Sequence, residues 1–262
     1  MIGAIAGDII GSVYEHAPVK TKAFELFAPG SRFTDDSVLT VAVAQAILGD
    51  GDYRRWVHAI GRRYPDAGYG AAFRDWLHAA DPAPYGSWGN GAAMRVSPVG
   101  FAFDCVARVL EEAERSAVIS HDHPEAVKGA QATALAVFLA RTTGDREVIR
   151  HEIATRFGYD LQRTVAAIRP GYGFEVSCQQ SVPEAIIAFL DADCWEDAVR
   201  NAVSLGGDAD TQACIAGAIA EAFYGAVPEA IRRQAEQCLP ADLLAIVTAF
   251  RERFLPPAPG KR

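Results

Sequence analysis

Hydrophobic residues recur along most of this chain at helical spacing, and strand-like alternation is scarce. The pattern predicts helices over 38–48, 52–64, 71–79, 103–118, 124–141, 183–190, 196–205, 211–224, 228–237 and 241–254. A further helix opens the chain, and the least helical stretch is 167–178. The expected fold is all-α: a single compact orthogonal bundle of roughly a dozen helices. Residues 1–255 form one domain in this reading, and 256–262 a flexible tail.

Two of the predicted helices, those after Asp36 and Asp210, are apolar on nearly all sides and therefore belong in the middle of the bundle. Their N-termini carry acids. One reads Phe33-Thr34-Asp35-Asp36-Ser37, the other Gly206-Gly207-Asp208-Ala209-Asp210-Thr211. Helix capping would use one Asp per helix, and the helix dipole favours it there. A second buried carboxylate without a counter-charge costs several kcal/mol, roughly; Arg32 precedes the first cluster, and no Lys or Arg lies within five residues of the second. A hard divalent cation, Mg²⁺ or Mn²⁺, solves that problem through carboxylate and hydroxyl oxygens. Capping and metal ligation both remain open on the residues alone, and the symmetry of the two clusters favours metal.

The first helix carries Gly3, Gly7 and Gly11 at four-residue spacing, which leaves one side flat for close packing. Asp8 and Glu15 share a helical face seven residues apart. Asp8 reads as a buried structural acid. Glu15 is either a solvated helix end or a general acid or base.

Three glycine-rich segments have the composition of an anion cradle: Gly68-Tyr69-Gly70, Gly86 through Gly91, and Gly171 through Phe174. Tyr69, Trp88 and Phe174 offer flat surfaces to a base or ribose. Ordinary turn chemistry accounts for any one of these loops taken alone. Ser120-His121-Asp122-His123-Pro124 lacks a third soft ligand, so zinc is not expected.

The formal charge of −8 argues against general nucleic-acid binding. No apolar run reaches membrane-spanning length, and the N-terminal stretch lacks a basic region and carries Asp8, unlike a signal peptide. Five scattered cysteines without a C-x-x-C pair read as reduced thiols of a cytoplasmic protein.

The motifs GDIIGSVYE, FTDDS, GYGA, GSWGNGAAMR, SHDHP, SVPEAI, SLGGDADT and AGAIAEAFYG resemble, in order and over nearly the whole chain, the ADP-ribosylhydrolase family of the dinitrogenase-reductase-activating glycohydrolase. GDIIGSVYE and GYGA look most like the vertebrate branch that cleaves ADP-ribose from serine. The resemblance implies a central binuclear Mg²⁺ or Mn²⁺ cleft with Thr34, Asp35, Asp36, Asp208, Asp210 and Thr211 as ligands. It implies catalytic roles for Glu15 and Asp36. It places Gly68, Tyr69 and Gly70 at the diphosphate, and Gly86, Ser87, Trp88, Gly89 and Asn90 along the ADP-ribose cleft. His121 borders the ligand, and Gly173 with Phe174 faces the adenosine side. The implied partners are ADP-ribose and an ADP-ribosylated protein side chain, handled by a monomer. The acceptor linkage stays open between arginine, serine, acetyl ester and a nucleic-acid end. A noncatalytic ADP-ribose reader and a phosphohydrolase of ADP-ribose are the alternatives. Trp88 stands where that branch has a smaller aromatic, the loop from Glu15 to Phe33 is short, and Glu221 reads as structural.

Overall fold

The computed structural model describes residues 1–255, so the expected tail at 256–262 lies outside the described residues. Among the described residues the regular structure is helical, with one isolated antiparallel bridge between Gly89 and Ser177. The first half holds α1 (Ile2–Gly11), α2 (Asp35–Leu48), α3 (Tyr53–Gly61), α4 (Ala71–His78), α5 (Gly91–Met94), α6 (Ser97–Ala102) and α7 (Val106–Ala117). The second half holds α8 (Pro124–Thr143), α9 (Arg146–Phe157), α10 (Val165–Ile168), α11 (Cys178–Leu190), α12 (Trp195–Val203), α13 (Ala209–Tyr224), α14 (Glu229–Gln237) and α15 (Ala241–Phe254).

The two helices expected at the centre are there. Nearly every side chain of α13 is buried, and α1, α8, α11 and α12 pack around it. α2 is buried over most of its length among α1, α3, α6 and α15.

α1 and α13 run antiparallel with their backbones in near contact. A Cβ on Gly3, Gly7 or Gly11 would fall 2.4, 2.1 and 2.5 Å from the carbonyl oxygens of Gly217, Ala213 and Ala209. Only glycine at that spacing allows the approach, because any side chain would overlap backbone. The register brings the end of α1 to the start of α13, and so the Glu15 turn to Asp208 and Asp210. Glu221, on α13, accepts the Gly3 N–H at 2.7 Å and pairs with the Met1 ammonium, as its structural reading anticipated.

Several elements differ from the pattern. α1 ends at Gly11, so Glu15 sits in the following turn and not on the helix face of Asp8. There the Ser12 hydroxyl bonds back to the Ile9 carbonyl and takes the Arg32 N–H. α11 starts at Cys178 and carries Pro183 in its interior. Reading Pro183 as a first-turn residue, as is correct for Pro124 on α8, therefore placed that start too late. α9 went unread because it buries only Ile149 and Ile153, although Asp145 caps it and Gly158 ends it at φ 69°. The short helices α6 and α10 were likewise not anticipated.

Candidate active site

Asp8 decides how the first acidic segment is used. From α1 it reaches the N-terminus of α2 and accepts the backbone N–H groups of Thr34 and Ser37 at 2.9 and 3.1 Å. It also accepts the hydroxyls of Thr34 (2.6 Å) and Ser37. With Thr34 as the N-cap, the capping needs of α2 are met without Asp35 or Asp36. Those two acids are free for something else. Asp36 is buried, its Oδ2 accepts the Thr211 hydroxyl at 3.3 Å, and its Oδ1 has no hydrogen-bond partner among the described residues.

The second acidic segment behaves the same way. Asp208 occupies the N-cap position of α13 but its side chain makes no capping bond; it accepts the Asn90 amide at 2.7 Å instead. Carboxylate oxygens of Asp8, Asp36 and Asp210 lie within 4.8 Å of one another, and so do those of Glu15, Asp208 and Asp210. Asp210 belongs to both groups. The two distant segments thus meet at one point.

Burial, with repulsion between neighbours, raises these carboxyls above their ordinary values. Loss of solvation lifts Asp8 to about 6 against the pull of its four donors. It lifts Asp35 to about 8, aided by Asp8 and Asp208. Asp36 and Asp210 are pushed well up by burial and then by their acidic neighbours. Glu15, half-buried, is raised by burial and by Asp208. A cluster of buried acids that no Lys or Arg pairs with among the described residues, and one orphaned carboxylate oxygen, has the donor set and electrostatic demand of a divalent-cation site.

The acids floor a cleft of about 440 Å³. Gly68 and Gly70 before α4 line it, with Ser87, Gly89, Asn90 and Gly91 before α5. Gly68 adopts φ 107°, and the turn it makes sets Ala67 to accept the Asp35 N–H at 2.8 Å. The loop at 86–91 is stitched to the start of α11 by Asn90 N–H to Val176 and Cys178 N–H to Trp88. The rest of the lining includes Phe73, Tyr85, His121, Phe174 and Arg95. One cleft therefore joins a cation-demanding floor, glycine loops and aromatic side chains, of which Phe174 is exposed.

A model of the ADP-ribosylglycohydrolase family matches residues 1–258. The chain belongs to that family. It is an enzyme that hydrolyses glycosyl bonds of ADP-ribose to an acceptor. It is 28% identical to mouse ADP-ribosylhydrolase ARH3, covering 94% of this chain and 88% of that protein. Human ADP-ribosylhydrolase ARH3 matches equally, at 28% over 94% and 90%. The ADP-ribosylarginine hydrolase Tri1 of Pseudomonas putida is 25% identical over 86% of this chain and 69% of its own length. A solved structure titled ADP-ribosylglycohydrolase-related protein complex shares the fold, with a TM-score of 0.70, 23% identity and 97% coverage of both chains.

In this ADP-ribosylglycohydrolase the sequence-predicted residues divide. Thr34, Asp35, Asp36, Asp208, Asp210, Thr211 and Glu15 all line the cleft, as do Gly68, Gly70, Ser87, Gly89, Asn90, His121 and Phe174. Phe174 is 60% exposed there. Tyr69, Gly86, Trp88 and Gly173 are not among the lining residues. Tyr69 turns into the core at 2% exposure, its hydroxyl donating to the Gly61 carbonyl and its ring against Phe73. Trp88 is 48% exposed and lies outside the lining. Gly86 uses its N–H on the Asp122 carboxylate. The aromatic surfaces come from Phe73 and Tyr85 with Phe174, the first two unforeseen. Tyr85 directly precedes Gly86, and Phe73 follows Gly70 by three, so adjacency to the glycine loops was a signal that went unused. Arg32 and Arg95 also reach the lining from outside the acidic segments.

Proposed function

We propose that the enzyme removes ADP-ribose from a modified protein side chain by divalent-metal-dependent hydrolysis, with an O-glycosidic, serine-type linkage as the favoured acceptor. The observation that carries the metal dependence is the convergence of two acid triads on Asp210 beside the unpartnered Asp36 Oδ1. Thr34, Asp35, Asp36, Asp208, Asp210 and Thr211 would hold two ions, Mg²⁺ or Mn²⁺, with Asp8 as the brace that orients Thr34. Ions held there would supply positive charge to bind ribose hydroxyls and favour an oxocarbenium-like transition state.

The protein's own groups do the rest. The backbone N–H groups of the glycine loops suit a diphosphate without net positive charge, so the nonreacting half of the ligand positions the reacting carbon. Phe174, Tyr85 and Phe73 present apolar faces for base or ribose. Glu15, raised by burial yet partly open to solvent, takes a proton from the attacking water. Asn90 holds Asp208 in place through its amide. The serine-type preference rests on the motif around Glu15 and on the resemblance to the ARH3 proteins. Five free cysteines suit a reducing, cytoplasmic setting.

Serine-linked and arginine-linked ADP-ribosyl peptides, each with Mg²⁺, Mn²⁺ or chelator, test the reading. It expects metal-dependent release of intact ADP-ribose, faster from serine. Release of AMP would instead identify a phosphohydrolase, and binding without turnover a reader.

A further inference from the structure

Arg95 follows α5 and is fully buried, yet no carboxylate pairs with it among the described residues. Its Nη2 donates to the Ser116 carbonyl at 2.8 Å and to Ser120 Oγ at 2.9 Å. Ser120 Oγ in turn lies 2.8 Å from Nδ1 of His121. Ser120 is fully buried, His121 nearly so, and the ring of His121 lines the cleft.

The direction of this chain follows from what each group can do. A guanidinium only donates, so Ser120 Oγ accepts from Arg95. The one hydroxyl hydrogen of Ser120 then needs an acceptor. Among the described residues Nδ1 of His121 is the acceptor in range. If Nδ1 carried a proton, the buried Ser120 hydroxyl would donate to nothing, which costs about 1–3 kcal/mol in a dry site.

We infer that Arg95 and Ser120 are positioning residues that hold His121 in its Nε2–H tautomer, so that the cleft presents a fixed N–H donor to an acceptor atom of ADP-ribose. The inference rests on the proposed function only for the identity of that ligand. Two further features agree with it. Nε2 has no protein partner among the described residues, and a Cβ on Gly91 would lie 2.8 Å from it, so the glycine at the start of α5 gives the ring its room. Burial, with Arg95 as a neighbouring charge, holds the His121 imidazole well below its usual range and so uncharged. Arg95 itself, lowered by burial to about 10, stays cationic at neutral pH.

Long-range ¹H–¹⁵N spectra of ¹⁵N-histidine-labelled protein read the tautomer directly, and calorimetry with ADP-ribose reads its use. The wild type should show His121 protonated on Nε2 and bare on Nδ1. Ser120→Ala should admit the Nδ1–H form and weaken ADP-ribose binding roughly 3- to 10-fold, the loss of one neutral hydrogen bond. A wild-type His121 protonated on Nδ1, or a tautomer and affinity unchanged in Ser120→Ala, would overturn the inference. The wild-type spectrum decides even if that variant fails to fold. Absence of ADP-ribose binding by the wild type would overturn the proposed function instead, and the spectra would still judge the tautomer.

Discussion

Gly7 of α1 faces the Ala213 carbonyl of α13 so closely that a Cβ would come within 2.1 Å of its oxygen. This contact is what turns two helices into a site: it sets how far α1 runs past α13, and hence where the Glu15 turn meets Asp210. Gly7→Ala must push backbone against backbone, with no flexible side chain to yield. Overpacking of this kind typically costs about 1–3 kcal/mol, and a backbone clash belongs at the upper end. Urea unfolding should show that loss, together with weaker Mn²⁺ binding through the displaced Glu15 turn. Wild-type stability would show that the helices slide apart freely.

Asp36 should separate a cap from a metal ligand. Thr34 and Asp8 already cap α2, so Asp36→Asn removes repulsion among buried acids and no capping bond. The metal-free variant should be as stable as the wild type or more so. The rise in melting temperature on adding Mg²⁺, present in the wild type, should be largely lost. A variant destabilised without metal by the roughly 1 kcal/mol of a lost cap would favour the capping role.

Metal-free stability should fall as pH rises. The folded protein holds Asp8 to about 6 and Asp35 to about 8, while the unfolded chain releases such protons near 4. The folded state therefore binds more protons through that window, and stability declines from about pH 4 to about pH 8. Cations take the place of those protons, so Mg²⁺ should stabilise more at pH 8 than at pH 5. Melting curves in chelator and in Mg²⁺ across this range check the sign. Stability that climbs with pH in chelator would mean the carboxyls are compensated by something other than bound protons.

The centre of the bundle could be read from sequence because α2 and α13 are apolar all round, and acids at the head of such helices have nowhere to go but inward. The glycine spacing of α1 announced its tight packing for the same local reason. The capping of α2 by Asp8 could not be read, since it joins residues from separate helices through a bond that no spacing encodes. The burial of the Tyr69 ring could not be read either, because a loop's composition reveals that its backbone turns, not which way its side chains face. Arg95 carries no sign of its burial: an arginine three residues before a proline reads as a surface charge until Ser116 and Ser120 fold over it.

Glu15→Gln keeps the shape of the side chain and removes its base. ADP-ribose binding should stay within a few-fold of wild type while turnover drops roughly 10²- to 10⁴-fold. Equal loss of both, measured by calorimetry beside peptide hydrolysis, would make Glu15 a binding group and not a catalytic one.

Asp210 is the residue common to both acid triads, so it carries the central claim. Calorimetric titration of Mn²⁺ into wild type and Asp210→Asn, both confirmed as folded, tests it most directly. About two ions should bind each wild-type chain, and neither should bind tightly once Asp210 is neutral. Unchanged stoichiometry and affinity in Asp210→Asn, or no binding by the wild type, would contradict it.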